Sequence, residues 1–282
     1  MLSENNMEQL TGIQQYHDIV ERYRRPGCLT NDYLQTRAGA LIADGLLSAD
    51  CHEQNAYLLE RKDVCWRLYY YLNDLTVATP INTPDGRPAV VEILYRGEEH
   101  FPNDEVAFLE RMGFERNLVR DQYAAVYKDL TTTLGKTGDV VVRLAGELDE
   151  VAWACDLFNE VFDPYSGDFI PEADLPQLLH NGQIIVALDQ QGTKLGALHQ
   201  TVERNVAWIS HVAVLPAARG RHVGKSLLDA FIEGNHTSDK SRYMLWVQQQ
   251  NAPAVAMYRN RGFRYLNKST LSLIKNNQNN TD

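Results

Sequence analysis

The segment VAVLPAARGRHVGKSLL joins a predicted strand, which ends at Val214, to a predicted helix, which begins near Val223, through a turn of small residues. The N-terminus of a helix presents backbone N–H groups that have no intrahelical acceptor, and the helix dipole favours an anion there. Arg219, Arg221 and Lys225 add positive charge around the same turn. These residue types at this spacing predict a cradle for an anionic group of the pyrophosphate type.

A second pattern, N-x-x-A-x-x-x-Y-x-x-x-G-F, is formed by Asn251, Ala254, Tyr258, Gly262 and Phe263. Ala254 and Tyr258 are four residues apart and therefore share one face of a helix. Five specified positions, at roughly one in twenty each, match by chance about once in three million. The pattern follows the predicted strand RYMLWV, whose end would open a ligand crevice.

Together the two patterns resemble the GNAT superfamily of acetyl-CoA-dependent N-acetyltransferases, and the resemblance covers residues 139–275. The pyrophosphate motif of that family, (Q/R)-x-x-G-x-(G/A), is matched here from Arg219 to Gly224. One position departs from it, because His222 stands where the family has glycine. A Cβ atom there lies where the loop backbone normally comes nearest to the phosphates, and Gly220, earlier in the same turn, offers some relief.

The resemblance implies an α+β fold with a mixed, mostly antiparallel central sheet flanked by helices. It also implies transfer of an acetyl group from acetyl-CoA to a primary amine by direct attack in a ternary complex, with no metal. By the same resemblance Tyr258 is the general acid that protonates the leaving thiolate of CoA. The residues that would bind acetyl-CoA are Val212, Val214, Arg219, Gly220, Arg221, His222, Val223, Gly224, Lys225 and Asn251.

The attacking amine must lose a proton. A primary amine with a pKa near 10.4 lies about 3.4 units above pH 7, so its free-base form costs about 4.6 kcal/mol. Candidate bases on the central strand or beside it are His211, Ser210, Glu203 and His199, of which we select His211. Regular alternation would place Trp208, Ser210 and Val212 on one face of the strand, and Ile209, His211 and Ala213 on the other.

The charge pattern agrees with an anionic cofactor and a cationic acceptor. The net charge of −10 argues against nucleic acid as the partner. Residues 139–203 hold 2 basic and 12 acidic side chains, whereas residues 204–275 hold 11 basic and 3 acidic ones. CoA would meet the basic segment and an amine the acidic one, where the loop DPYSGDF offers Asp163 and Asp168 as substrate residues. Both aspartates could equally serve as turn formers.

The N-terminal half shows a faint echo of the same plan. Residues 56–79 predict a hairpin, PAVVEILYRG a strand, and DEVAFLERMGF a helix in which Phe108 takes the place of Tyr258. Before them, residues 8–23 predict a helix, and Thr30 or Asn31 would cap a second one. The half is therefore either a degenerate GNAT-like module without a CoA cradle or an unrelated α+β domain.

Turn chemistry suggests the domain organisation. TTTLGKTG, residues 131–138, is the best linker candidate, which gives an N-terminal domain at 1–135, a GNAT domain at 139–275 and a disordered tail at 276–282. Two strands are expected around residues 119–127 and paired strands in FRYLNKSTLSLI. Exposed strand edges would suit a homodimer.

Several classes of protein are excluded or disfavoured. No run of 18 apolar residues exists, and the N-terminus lacks the pattern of a secretory signal. Four cysteines without a C-x-x-C pair, and histidines without H-E-x-x-H, fit reduced thiols in a cytoplasmic protein without a metal site.

The alternatives to an N-acetyltransferase are a non-catalytic acyl-CoA-binding or sensory module, and an acyltransferase for a hydroxyl acceptor or a longer acyl chain. The acceptor stays open between a small polyamine, an aminoglycoside-like compound, an amino acid, and the N-terminus or a lysine of a protein.

Overall fold

The computed structural model describes residues 7–131, 139–166, 169–203 and 205–276. The chain forms two compact units. The first unit contains Met1–Val119 and Ser269–Asp282, and the second unit contains Arg120–Lys268. Apart from Thr131 and Asn276, the predicted linker at 131–138 and the predicted tail at 276–282 lie outside the described residues.

Helices and strands follow the hydrophobic pattern closely. In the first unit they are β1 Glu8–Gln9, α1 Ile13–Tyr23, β2 Leu29–Thr30, α2 Ala38–Ala43, β3 Leu47–Cys51, β4 Ala56–Arg61, β5 Trp66–Leu72, β6 Ala89–Tyr95 and α3 Asn103–Arg111. Strand β7, Glu115–Val126, begins in the first unit and continues into the second.

The second unit continues with β8 Val141–Leu144, α4 Leu148–Val161, α5 Leu175–His180, β9 Ile184–Leu188, β10 Lys194–Glu203, β11 Val206–Val214, α6 Val223–Gly234, β12 Arg242–Gln248 and α7 Ala252–Asn260. Strand β13, Arg264–Lys275, begins in this unit and ends in the first. The sequence predicted two strands around residues 119–127 and two paired strands in residues 263–274. The structure instead has one long strand in each region, β7 and β13.

The two units repeat one strand order. In the first unit the order is β1-β3-β4-β5-β6-β13, and in the second it is β8-β9-β10-β11-β12-β7. Among the described strands, each unit contains a single parallel pair between otherwise antiparallel neighbours, β5 with β6 and β11 with β12. The strand that follows α3 pairs with β12, whereas the strand that follows α7 pairs with β6, so each unit is completed by a strand from the other part of the chain. This repeat supports the interpretation of the N-terminal half as a second GNAT-like module.

Unlike the second unit, the first has no helix between the strands of its parallel pair. Residues 73–88, all of them described, contain only turns and irregular backbone where the second unit has α6. The sequence NTPDGRP within this stretch explains the difference, because proline and glycine favour turns and interrupt helices. The first unit therefore lacks the helix N-terminus that would make an anion cradle.

Each face of the sheet in the second unit has its own core. One face packs on α6 and α7 through Leu227, Leu228, Phe231 and Tyr258. The opposite face packs on α4 and α5 through a second cluster that includes Phe158 and Leu178. The sheet of this unit is therefore buried on both faces, which explains the nearly continuous apolar runs of β9 and β11. None of the described helices is long and apolar enough to cross a membrane.

Candidate active site

The parallel strands of the second unit separate at one end. Their pairing runs from Val206 opposite Arg242 to Ile209 opposite Leu245. Beyond that point β11 continues to Val214 and β12 to Gln248, with no further pairing between them among the described residues. The edge of β11 is thus open to a ligand where the strands diverge.

A cavity of about 440 Å³ lies at this divergence, within the second unit. Its walls combine the open edge of β11 with α7 and with the loop between α4 and α5. Side chains able to do chemistry line it: Asp163, Asp174, His199, Glu203, Ser210, His211, Asn251 and Tyr258. The cavity therefore brings together all five residues that the sequence singled out as acid or candidate bases.

A β-bulge decides which side chains of β11 face the cavity. Opposite β10, His211 pairs with His199 and Ile209 with Gln200, which leaves Ser210 as an extra residue. Ile209 packs in the core beside α6, whereas Ala213 packs in the core beside α4. The alternation predicted for residues 208–213 is therefore wrong, because the inserted residue reverses the facing of the strand.

As a result of the bulge, His211 lies beside His199. The two Nδ1 atoms are 3.2 Å apart, the ring planes are within 8° of parallel, and the tautomers decide which ring donates. His211 is 5% exposed and stacks on Phe158 at 5.2 Å between ring centres. Nε2 of His199 is buried and has no hydrogen-bond partner among the described residues. Burial, and to a smaller extent His211, lowers the pKa of His199 to about 4.

Protonation of His199 should make the second unit less stable in acid. The pKa of His199 falls from 6.5 to about 4 on folding, so in this range the unfolded chain binds a proton that the folded chain does not. We expect the free energy of unfolding to drop by on the order of 2 to 3 kcal/mol between pH 6.5 and pH 4 from this residue. Urea unfolding of the wild type and of His199→Asn at several pH values measures it. Equal pH slopes in the two proteins would contradict the expectation.

Tyr258 is on α7 and borders the cavity. Its side chain is 6% exposed, and burial raises its pKa above the ordinary value because the phenolate is poorly solvated there. Asn251 caps the helix, since its Oδ1 accepts a 3.2 Å hydrogen bond from Ala254 N. At the other end Phe263 packs against the Tyr258 ring at 5.8 Å between centres. The motif residues around Tyr258 therefore begin and end the helix that holds it in place.

The predicted cradle forms the turn that leads into α6. Arg219, Gly220, Arg221 and His222 are exposed. In the described part of the chain, the amides of the next three residues, Val223, Gly224 and Lys225, donate to no backbone acceptor. A Cβ on Gly224 would lie 3.4 Å from Met257 Sδ, so this helix turn approaches α7 closely. Three unsatisfied amides at a helix N-terminus, beside two arginines and a lysine, fit a pyrophosphate.

His222 occupies a backbone conformation that favours glycine. Its φ is +61°, in the left-handed region, which costs a residue with a Cβ about 1 kcal/mol or more. We therefore expect His222→Gly to keep the fold and to raise the free energy of unfolding by up to about 1 kcal/mol, less the entropy that glycine gains in the unfolded chain.

The matched control for His222→Gly is Gly220→Ala. The φ of Gly220 is +79° and open space surrounds it, so this change should destabilise by about 1 kcal/mol. Urea denaturation compares the two variants. A stability loss in His222→Gly would contradict the assignment of strain to His222.

Three carboxylates line the cavity, those of Asp163, Asp174 and Glu203. Asp163 also has a turn role, because its Oδ1 accepts a 2.8 Å hydrogen bond from Tyr165 N. Asp168, the other predicted substrate residue, lies outside the described residues.

Among the cavity residues that sequence analysis did not single out as functional are Arg120, Asp174, Trp208 and Trp246. Arg120 Nη2 donates to Ser166 O at 3.2 Å and so holds the loop between α4 and α5. Arg120 was missed because the sequence assigned it to the other domain. No local pattern marks Arg120, because the two residues that follow it, Asp121 and Gln122, are also polar.

Comparison with known proteins supplies independent support for the resemblance of residues 139–275 to the GNAT superfamily. Residues 150–263 match the acetyltransferase (GNAT) family, whereas no curated protein matches the chain. A solved GCN5-related N-acetyltransferase from Sphaerobacter thermophilus is 16% identical with a TM-score of 0.56, over 82% of this chain and 78% of that chain.

Two further solved structures share the fold. A GCN5-related glucosamine N-acetyltransferase region in a fungal multi-domain GH3 β-N-acetylglucosaminidase is 11% identical with a TM-score of 0.57, over 95% of this chain and 38% of that chain. A tandem GNAT protein from the clavulanic acid biosynthesis pathway is 13% identical with a TM-score of 0.50, over 81% and 82%. At these identities the likeness establishes the fold alone.

The matched segment begins in α4 and ends just after α7, so it contains the separated strands, the cradle and Tyr258. Residues 150–263 are therefore an acetyltransferase domain of the GNAT family.

Proposed function

We propose that the protein transfers an acetyl group from acetyl-CoA to a primary amine by direct attack in a ternary complex. The observation that carries the proposal is the cavity at the divergence of β11 and β12, which combines an open strand edge, Tyr258 and an acidic wall. An acyl-CoA arm and an amine can enter such a cavity from different sides.

The residues of the second unit fit acyl-CoA. The amides from Arg219 to Lys225 would hold the pyrophosphate, and the open backbone of Val212 and Val214 would pair with the pantetheine arm. Asn251 uses its Oδ1 to cap α7, so its NH₂ group is the part available to that arm. When bound, acetyl-CoA supplies an activated acetyl group, and CoA leaves as the thiolate.

Tyr258 is proposed as the general acid. Because burial raises its pKa, the hydroxyl stays protonated at neutral pH and can donate a hydrogen bond. A thiol of pKa about 8.5 leaves as a thiolate, and a hydrogen bond to the developing charge lowers the barrier. The burial of Tyr258 strengthens that hydrogen bond, because the local dielectric is lower than in water.

The amine is proposed to bind the carboxylates of Asp163 and Asp168 as a cation and to lose its proton near His211. In the hydrogen bond between His199 and His211, the ring that donates from Nδ1 has no proton on Nε2, whereas the ring that accepts carries one there. The low pKa of His199 keeps its ring neutral at pH 7. Such a pair can relay a proton, because one ring can take it up at Nε2 while the other gives one up from Nε2.

An acetyl-transfer assay with an amine panel tests the proposal. The panel contains spermidine, lysine, an aminoglycoside, a peptide with a free N-terminus, and glucosamine, the sugar for which the fungal relative is named. Amide product from at least one amine, with CoA released in equal amount, supports the proposal. Binding of acetyl-CoA without any transfer would favour the sensory alternative, and a hydroxylamine-labile product would favour a hydroxyl acceptor.

A further inference from the structure

The first unit contains the same strand divergence as the second. Its parallel pairing runs from Trp66 opposite Ala89 to Leu68 opposite Val91. Strand β5 then continues to Leu72 and β6 to Tyr95, with no further pairing between them among the described residues. A groove between two strand edges therefore exists here as well, and its backbone groups need partners.

The side chain of Asn31 fills this groove. Its Nδ2 donates to Leu68 O on β5 and to Glu92 O on β6, both at 3.1 Å. Its Oδ1 accepts from Tyr70 N at 2.8 Å. The carboxamide thus bridges the two separated strands, and Asn31 does not cap a helix as the sequence suggested.

The residues beside Asn31 also lie along the edge of β5. In β2, Leu29 pairs with Leu72 and Thr30 with Tyr71, antiparallel to β5. Asp32 then fixes the segment: Tyr16 OH donates to its Oδ2 at 2.9 Å, Tyr71 OH donates to the same oxygen, and Leu34 N donates to its Oδ1 at 2.8 Å. The segment Leu29–Asp32 is therefore paired and anchored along the edge of β5.

This segment belongs to the loop between the first two helices of its unit. In the second unit the equivalent loop, between α4 and α5, lines the cavity with Asp163 and Asp174 and leaves the edge of β11 open. The first unit also has no hydroxyl at the position of Tyr258. Phe263 N donates to Tyr258 O at 3.1 Å, and the matching bond joins Phe114 N to Leu109 O at 3.0 Å, so Leu109 is the equivalent residue and Phe108, predicted from sequence, is not.

We propose that Leu29–Asp32 is an internal ligand, which occupies in the first unit the place that the pantetheine arm of acyl-CoA takes in the second. The carboxamide of Asn31 makes the hydrogen bonds that an amide of pantetheine would make in an open groove. The chain therefore binds a single acyl-CoA, in the second unit. The comparison rests on the acyl-CoA position proposed above.

Hydrogen exchange at the Tyr70 amide tests the role of Asn31 without any cofactor. In Asn31→Ala the amide loses its acceptor, so we expect its exchange to accelerate at least tenfold. Asn103→Ala is the matched control, because the Asn103 side chain makes a single exposed bond to Phe101 O, and it should leave Tyr70 unchanged. Unchanged protection of Tyr70 in a folded Asn31→Ala protein would overturn the internal-ligand assignment.

Titration calorimetry with acetyl-CoA on the full chain tests the stoichiometry and does not depend on how Asn31→Ala folds. We expect one acetyl-CoA per chain in the wild type and none in Arg219→Glu, since the exposed Arg219 belongs to the second unit. Two per chain, or a site that survives in Arg219→Glu, would overturn the inference. Absence of all binding would instead refute the proposed function, and the Tyr70 exchange would still decide the role of Asn31.

Discussion

Replacing Tyr258 by phenylalanine should lower kcat by about 100-fold or more while leaving acetyl-CoA binding within about twofold of the wild type. Phenylalanine keeps the ring that packs on Phe263, so the cavity retains its shape. The lost hydroxyl is the proposed proton donor to the leaving thiolate. Because the reduction falls on a step after binding, kcat and kcat/KM should drop together. Steady-state kinetics with the best amine of the panel measures both.

The matched control for this prediction is Tyr243→Phe. Tyr243 is another buried tyrosine of the second unit, its hydroxyl donates to Ile232 O at 3.1 Å, and it does not line the cavity. Tyr243→Phe should lose about 1 kcal/mol of stability and keep its kcat. Equal kcat values for Tyr258→Phe and the wild type would refute the general-acid role, and equal losses in both variants would indicate a structural effect.

Gly262→Ala should destabilise the second unit by roughly 3 kcal/mol. The φ of Gly262 is +103°, a conformation that disfavours any Cβ. In addition, a Cβ would lie 2.8 Å from Asp129 O and 3.1 Å from Leu130 Cα, both backbone atoms that cannot turn away. The strain would shift the end of α7 and with it Tyr258.

Gly192→Ala separates the two causes. Gly192 has a φ of +83° with nothing within 4 Å, so alanine there meets the conformational cost alone, about 1 kcal/mol. Tryptophan fluorescence during urea unfolding reports mainly on the second unit, which holds three of the four tryptophans. Equal losses of unfolding free energy in Gly262→Ala and Gly192→Ala would show that the contact between a Cβ at position 262 and the Asp129 carbonyl is relieved at no cost.

Local sequence patterns were sufficient for the elements that carry the predicted cradle and Tyr258. The strand that ends at Val214, the helix from Val223 and the helix that carries Tyr258 all form where the patterns predicted them. Each depends on residues adjacent in sequence, such as the cap Asn251 and the glycine stop Gly262. The mixed α+β sheet of the GNAT type is likewise confirmed.

Features that depend on pairing between distant strands could not be predicted. The bulge at Ser210 has no turn residue to mark it and is set by the register of β10 against β11. The bulge places His211 beside His199, and a strand with regular alternation would not bring these two side chains together. The exchange of the last strands between units is equally non-local. Each of these strands pairs with a strand that is distant in sequence: Arg120–Val126 with β12, and Ser269–Lys275 with β6.

Asn31 illustrates a third limit. Asparagine before a helix usually caps it, so the local pattern favoured that role. Here the two carbonyls and one amide of the groove offer three hydrogen bonds to the carboxamide. A helix cap supplies one or two such bonds. Asn31 therefore bonds to the distant strands and does not cap the helix.

Thermal unfolding of the wild type with and without acetyl-CoA tests most directly whether the second unit is an acyl-CoA site. At 100 times the dissociation constant, a ligand that binds only the folded chain adds about 2.7 kcal/mol, which raises Tm by roughly 5 to 10 °C. We predict this shift in the wild type and in Tyr258→Phe, and its loss in Arg219→Glu. No shift in the wild type, or the same shift in Arg219→Glu, would contradict an acyl-CoA cradle at the start of α6.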